Sequence, residues 1–132
     1  MSDREPFEFR VDEFENQPSF RSPEQFAESQ ERLSKLSKAE AKNFQQLGDW
    51  VNENLINCMA QGFEPSDTET QKVIAQHFLW ANTVWNLDKQ SYLELAEVYL
   101  HEPRYQGFYE RMNPGLGEYL AAGMKSYANS ML

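Results

Sequence analysis

From about residue 24 to the C-terminus, apolar positions recur at spacings of three and four, and this period predicts helices nearly throughout. The first is expected to open at Ser22-Pro23-Glu24, where serine can cap and proline is tolerated in the first turn, with Phe26 and Leu33 on one face. Ser37-Lys38-Ala39-Glu40 has the form of a capping box and predicts a long helix to about Gln61, stopped by Gly62. Its stripe of Phe44, Leu47, Val51, Leu55, Cys58 and Met59 reads as core, with Trp50 off the stripe and needing another contact. Ser66-Asp67-Thr68-Glu69 repeats the capping pattern and predicts a helix to about Asn86. Here Val73, His77, Trp80 and Val84 form one stripe, and Ile74, Phe78, Ala81 and Trp85 a second beside it. A surface helix ordinarily has one such stripe, so a double stripe predicts a helix covered on two sides, at the centre of the domain.

Three more helical stretches follow. Asp88 is placed to cap a helix that ends near His101, before Pro103, with Tyr92, Leu95, Ala96 and Tyr99 on one face. Arg104 to Arg111 predicts a short helix bearing Tyr105, Phe108, Tyr109 and Met112. Asn113-Pro114-Gly115 predicts a cap with proline at the first position of a last helix to about Asn129, whose stripe is Leu116, Leu120, Gly123 and Tyr127. A glycine inside a helix costs about 1 kcal/mol against alanine, so Gly123 predicts a close helix crossing. Residues 1–23 break the pattern: FEFRVDEF alternates with a period of two, yet no second strand exists to pair with it, and Pro6, Pro18 and Pro23 surround it. The expectation is a flexible N-terminal arm at 1–23 and one helical domain at 24–132.

A chain of 132 residues suits a single domain with its own core. Its one cysteine, Cys58, cannot form an intramolecular disulfide, so an oxidising compartment is not called for and the cytoplasm is expected. No stretch approaches the roughly 18 apolar residues of a membrane span, and no basic region followed by an apolar run opens the chain, so no membrane association is expected. The formal charge of −9, from 21 acidic against 12 basic residues, disfavours phosphate backbones and anionic lipid. Direct nucleic-acid binding is therefore not expected, and cationic or neutral ligands suit the chain better than anionic ones. Self-association stays open.

Signs of catalysis are sparse. The sequence has no glycine-rich phosphate loop, its two histidines, His77 and His101, fall on different helices, and neither a Glu-x-x-His pair nor a second cysteine supports a metal site. No cofactor, no metal and no enzymatic activity are expected. Glu94 and Glu97 read as a solvated face, and Cys58 as a buried, inert thiol. The aromatic residues need a different explanation. Of nine Phe, six Tyr and three Trp, many crowd the C-terminal half, and Tyr and Trp carry polar tips that a purely structural core would avoid. Any one of these rings fits a core, but the set fits a ligand pocket. Its walls would be Trp80, Trp85, Tyr92, Tyr99 and Phe108, with His77 and Asn82 offering directional hydrogen bonds.

From about Glu24 to Leu132 the chain resembles the TipAS-type antibiotic-recognition domain of MerR-family transcriptional regulators. The resemblance is carried by ESQERLSKLSKAEAKNF, by MAQGFEPSDTE at the end of a long helix, and by HFLWANTVWNLDKQSYLELAEVYLHEPRYQGFYERMNPGLGEYLAAGM, in that order and spacing. Glu102-Pro103-Arg104-Tyr105 and the run Tyr109, Pro114-Gly115-Leu116, Tyr119-Leu120 are its most specific parts. It implies an all-α, globin-like bundle of about five helices with a cleft for a bulky hydrophobic drug and an N-terminal part that orders on binding. Members that trap thiopeptides covalently use a cysteine just after the helix bearing Trp85, where this chain has Asn86-Leu87-Asp88, so reversible binding is expected. Neither a helix-turn-helix nor a coiled coil is legible here, so DNA binding by this chain itself is not expected. Two other classes stay open beside a drug-binding effector domain: a haem protein using His77, and a helical protein-interaction module.

Overall fold

The computed structural model describes residues 31–132. The arm expected at 1–23 and the start of the first helix lie outside the described residues, whose first turn, residues 31–34, is helical. Five further helices follow: α1, Lys38–Ala60; α2, Thr68–Asn82; α3, Lys89–His101; α4, Pro103–Met112; and α5, Leu116–Met131. The described residues contain no strand, in keeping with an all-α fold. α3 lies along α5 and α1 along α2, while α2 also packs on α5 and α4 closes one end against α3 and α5.

Two helix starts follow directly from the sequence. Ser37 Oγ accepts from the Glu40 amide at 3.1 Å while the Glu40 carboxylate accepts from the Ser37 amide at 2.9 Å, a complete capping box. Asp88 and Ser91 repeat it on α3, with reciprocal bonds of 2.9 and 3.0 Å. Gly62, at φ +81°, supplies the left-handed stop after α1.

Four expectations need correction. Ser66 does not cap α2; Asp67 holds that position, and its carboxylate accepts instead from the Glu64 amide at 2.8 Å, bracing the preceding turn. α2 ends at Asn82, short of Asn86, because Thr83 and Val84 donate to the carbonyls of Trp80 and Ala81 in a tightened turn and Asn82 Oδ1 accepts from the Leu87 amide at 2.9 Å. Pro114 does not open the last helix. Gly115 takes a left-handed conformation at φ +84°, so α5 begins after it, at Leu116. Trp50 is not drawn into a contact that hides it; it stays 45% exposed.

The double stripe of α2 is covered on two sides. Val73, Ile74, His77, Trp80 and Ala81 are all buried, and Val84 and Trp85 stay buried in the turn beyond. Leu95, Leu116, Leu120 and Met124 are wholly inaccessible and join α3 to α5. Gly123 marks the crossing of α5 and α2: a Cβ there would stand 2.8 Å from Ile74 Cδ1. The stripe of α1 is graded, with Val51, Leu55 and Cys58 buried and Phe44, Leu47 and Met59 half-buried.

Candidate functional site

A cleft opens between α1, α2 and α4. From α1 it takes Phe44, Gln45, Gly48, Asp49, Val51 and Asn52; α2 gives His77 and Trp80, and α4 gives Tyr109. Its space is about 360 Å³ counting the open mouth, but only about 20 Å³ of it is open to the centre of a water molecule, so the cleft is narrow. A stack of two rings narrows it. Phe44 and Trp80 lie with centroids 4.9 Å apart and planes within 14°, and Trp80 Nε1 donates to the Phe44 carbonyl at 3.0 Å. That approach depends on Gly48, where a Cβ would sit 2.9 Å from the indole nitrogen.

His77 forms the floor and is 2% exposed. Its Nδ1 lies 2.8 Å from the Tyr92 hydroxyl and its Nε2 lies 3.3 Å from the Tyr99 hydroxyl. Burial lowers its pKa from 6.5 to about 3, so the ring is neutral at physiological pH. A neutral imidazole has one donor and one acceptor. The short contact fits Nδ1 accepting from the Tyr92 hydroxyl, as O–H donors approach closer than N–H donors, which leaves Nε2–H to donate to Tyr99. Tyr99 is in turn hydrogen-bonded to Tyr109, which reaches the cleft wall. Burial pushes the Tyr92, Tyr99 and Tyr109 hydroxyls up, so all stay protonated. The site is an uncharged relay of hydroxyl, imidazole and hydroxyl beside a stacked aromatic pair.

Of the residues expected to line a pocket, the cleft brings together His77 and Trp80. Tyr92 and Tyr99 stand behind His77 and hold it, both buried. Trp85 is 1% exposed in the core, its carbonyl accepting from Arg32 at 3.1 Å. Asn82 braces the α2–α3 turn through its bond to Leu87. Phe108 is half-buried, edge-on to Tyr109 at 5.1 Å, and does not line the cleft. The α1 wall was not foreseen. Gln45, Gly48, Asp49 and Asn52 stand at i, i+3, i+4 and i+7, a polar helical stripe interrupted by glycine, and that spacing is the signal by which they could have been found. Gln45 Nε2 donates to Asp49 Oδ1 at 3.3 Å, and Asn52 is buried at 8% exposure.

Among the described residues no group of three or more His, Cys, Asp or Glu side chains could hold a metal ion. Both nitrogens of His77 face tyrosine hydroxyls, an arrangement unsuited to an axial haem ligand. Glu97 is at the surface, where Lys125 and His101 hold its carboxyl below the usual range. No described helix is long and apolar enough to cross a membrane.

Comparison with known proteins agrees with this architecture. The chain is 22% identical over 104 residues to the HTH-type transcriptional regulator SkgA in two strains of Caulobacter vibrioides, a match covering 77% of this chain and 41% of the regulator. It thus spans less than half the length of the curated relatives it matches. In fold it is similar to TipAS from Streptomyces lividans, a protein of a thiopeptide multidrug resistance system solved in complex with nosiheptide. The TM-score is 0.76 at 17% identity, covering 92% of this chain and 87% of that one. The sequence matches the TipAS antibiotic-recognition domain over residues 14–127, and with most of its length so matched the chain belongs to that family.

Proposed function

We propose that the chain is a drug-binding effector domain that holds a bulky, hydrophobic, neutral or cationic antibiotic reversibly in the cleft between α1, α2 and α4. The observation that carries this reading is the Phe44–Trp80 stack above a buried, uncharged His77–tyrosine relay, an apolar wall with a few oriented polar groups. Family membership supports it, as does the similarity to a protein solved with nosiheptide. The chain acts here by binding alone, without catalysis. In a longer regulator of the SkgA kind it would report the ligand to a DNA-binding part, in the cytoplasm; alone it would sequester the drug.

The cleft as it stands is too narrow for such a ligand, so the Phe44–Trp80 stack has to part. Opening it gives up one ring stack and one indole hydrogen bond, together about 1–3 kcal/mol. A micromolar complex is worth about 8 kcal/mol, so the ligand can drive the opening by replacing that stack with its own rings. Asp49, the one charged residue among the described residues that line the cleft, disfavours anions there.

Tryptophan fluorescence titration with nosiheptide and a panel of bulky neutral and cationic antibiotics tests the reading. The expected result is a saturable change in wild-type emission that weakens at least tenfold in Kd for Trp80→Ala and is little altered for Trp50→Ala. A panel that leaves the emission unmoved, or a response lost with Trp50 and kept without Trp80, would remove this cleft as the binding site.

A further inference from the structure

The α1 wall carries one polar group that the protein leaves unanswered. Gln45 bonds to Asp49, the Trp80 indole to the Phe44 carbonyl, His77 to two tyrosines and Tyr109 to Tyr99. Asn52 lines the same cleft at 8% exposure, and its side-chain amide has no hydrogen bond to any of the described residues. Neither of its amide atoms is among the fully buried polar atoms that lack a partner, so both donor and acceptor reach the cleft and are open to a bound molecule.

We propose that Asn52 is a specificity residue that reads a planar carboxamide or lactam edge on the bound molecule. The inference rests on the drug-binding reading of the cleft. An asparagine amide presents an acceptor and a donor side by side in one plane. Its complement is a group that also sets N–H and C=O side by side, as a terminal carboxamide or a lactam does; the trans secondary amide of an open peptide points the two in opposite directions. The ring pair adds a second requirement. Phe44 and Trp80 stack on each other, so when they part a flat aromatic body can take the place of one ring of the pair, with its amide edge directed at Asn52. A ligand with an ester in place of the amide satisfies the asparagine donor but sets a second acceptor against its carbonyl oxygen, and is rejected for that reason.

The test uses two small probes of one shape, 2-naphthamide and methyl 2-naphthoate, titrated into the 15N-labelled chain and followed by NMR. The expected result is that 2-naphthamide shifts both the Trp80 indole N–H and the Asn52 side-chain NH2 signals, and binds about tenfold more tightly than the ester, which leaves the Asn52 pair in place. In Asn52→Leu the two probes should bind equally. If that variant does not fold, the wild-type shifts of the Asn52 pair still decide the matter. Equal binding of both probes to wild type, with the Trp80 signal moving and Asn52 still, would overturn this role and leave the cleft intact as a site. If neither probe nor nosiheptide moves the Trp80 signal, the drug-binding reading fails, and this inference with it.

Discussion

His77 occupies an apolar stripe of α2, buried and neutral, with a tyrosine hydroxyl at each ring nitrogen. Removing it should be costly even where the replacement packs well. His77→Leu leaves the Tyr92 hydroxyl without its imidazole and takes one partner from Tyr99, for an expected loss of about 2–3 kcal/mol at pH 7 in urea denaturation. The same residue should make the fold sensitive to acid. Its pKa is about 3 when folded against 6.5 unfolded, so the unfolded chain binds the extra proton between those values. Its share of stability is therefore complete above pH 6.5 and is lost as the pH falls toward 3. Between pH 7 and pH 4 the loss from this group is about 3 kcal/mol. Exposed carboxylates such as Glu97, also held below their usual range, add a smaller acid-side loss. The measurement is the pH dependence of urea unfolding: wild type should fall more steeply than His77→Leu below pH 6, and parallel curves would show that protonation of His77 is not what destabilises the fold.

At the scale of helices, the sequence made clear what local chemistry decides. The capping boxes at Ser37 and Asp88 are short-range patterns, and both form. Ser66 fails because its neighbour Asp67 takes the cap position and ties its carboxylate to the turn before it, a competition between adjacent polar residues that spacing does not resolve. Asn82 is the last residue of α2 and Trp85 follows in the turn beyond, so neither joins His77 and Trp80 on the cleft wall, a placement that turns on where the helix stops rather than on the apolar period. Gln45, Asp49 and Asn52 went unnoticed for a different reason. Apolar periodicity treats a polar residue as outward, and these three face a cleft whose existence depends on α2 lying alongside α1. Gly123 was the most telling single position. With a Cβ 2.8 Å from Ile74 Cδ1 and 2.9 Å from its Cγ1, Gly123→Ala should force α5 and α2 apart or push Ile74 off its rotamer. Alanine gains about 1 kcal/mol of helix propensity, and overpacking costs about 1–3, so thermal unfolding should show a net loss of up to about 2 kcal/mol. An increase in midpoint would mean that Ile74 yields freely and the crossing is loose.

At the scale of the whole molecule, the question is whether a bound ligand can leave. A covalent trap needs a thiolate that can reach the ligand. Among the described residues the one cysteine is Cys58, 7% exposed, on the core stripe of α1 and outside the cleft lining, while the segment after α2 carries Asn86-Leu87-Asp88. Binding should therefore act on stability by mass action alone. At free ligand one hundred times Kd the folded state gains about 2.7 kcal/mol, which for a domain of this size raises the unfolding midpoint by roughly 10 °C. The gain should grow with the logarithm of ligand concentration and disappear on dialysis. Two measurements separate this from trapping. Intact mass after overnight incubation with nosiheptide and denaturation should equal that of the chain alone, and Cys58→Ser should keep the same ligand-induced shift as wild type. An adduct that persists through denaturation, and vanishes with Cys58→Ser, would mean that the core of α1 opens far enough to expose the thiol. That opening would break the packing of Val51 and Leu55 as well, so it would also appear as lost hydrogen-exchange protection along α1.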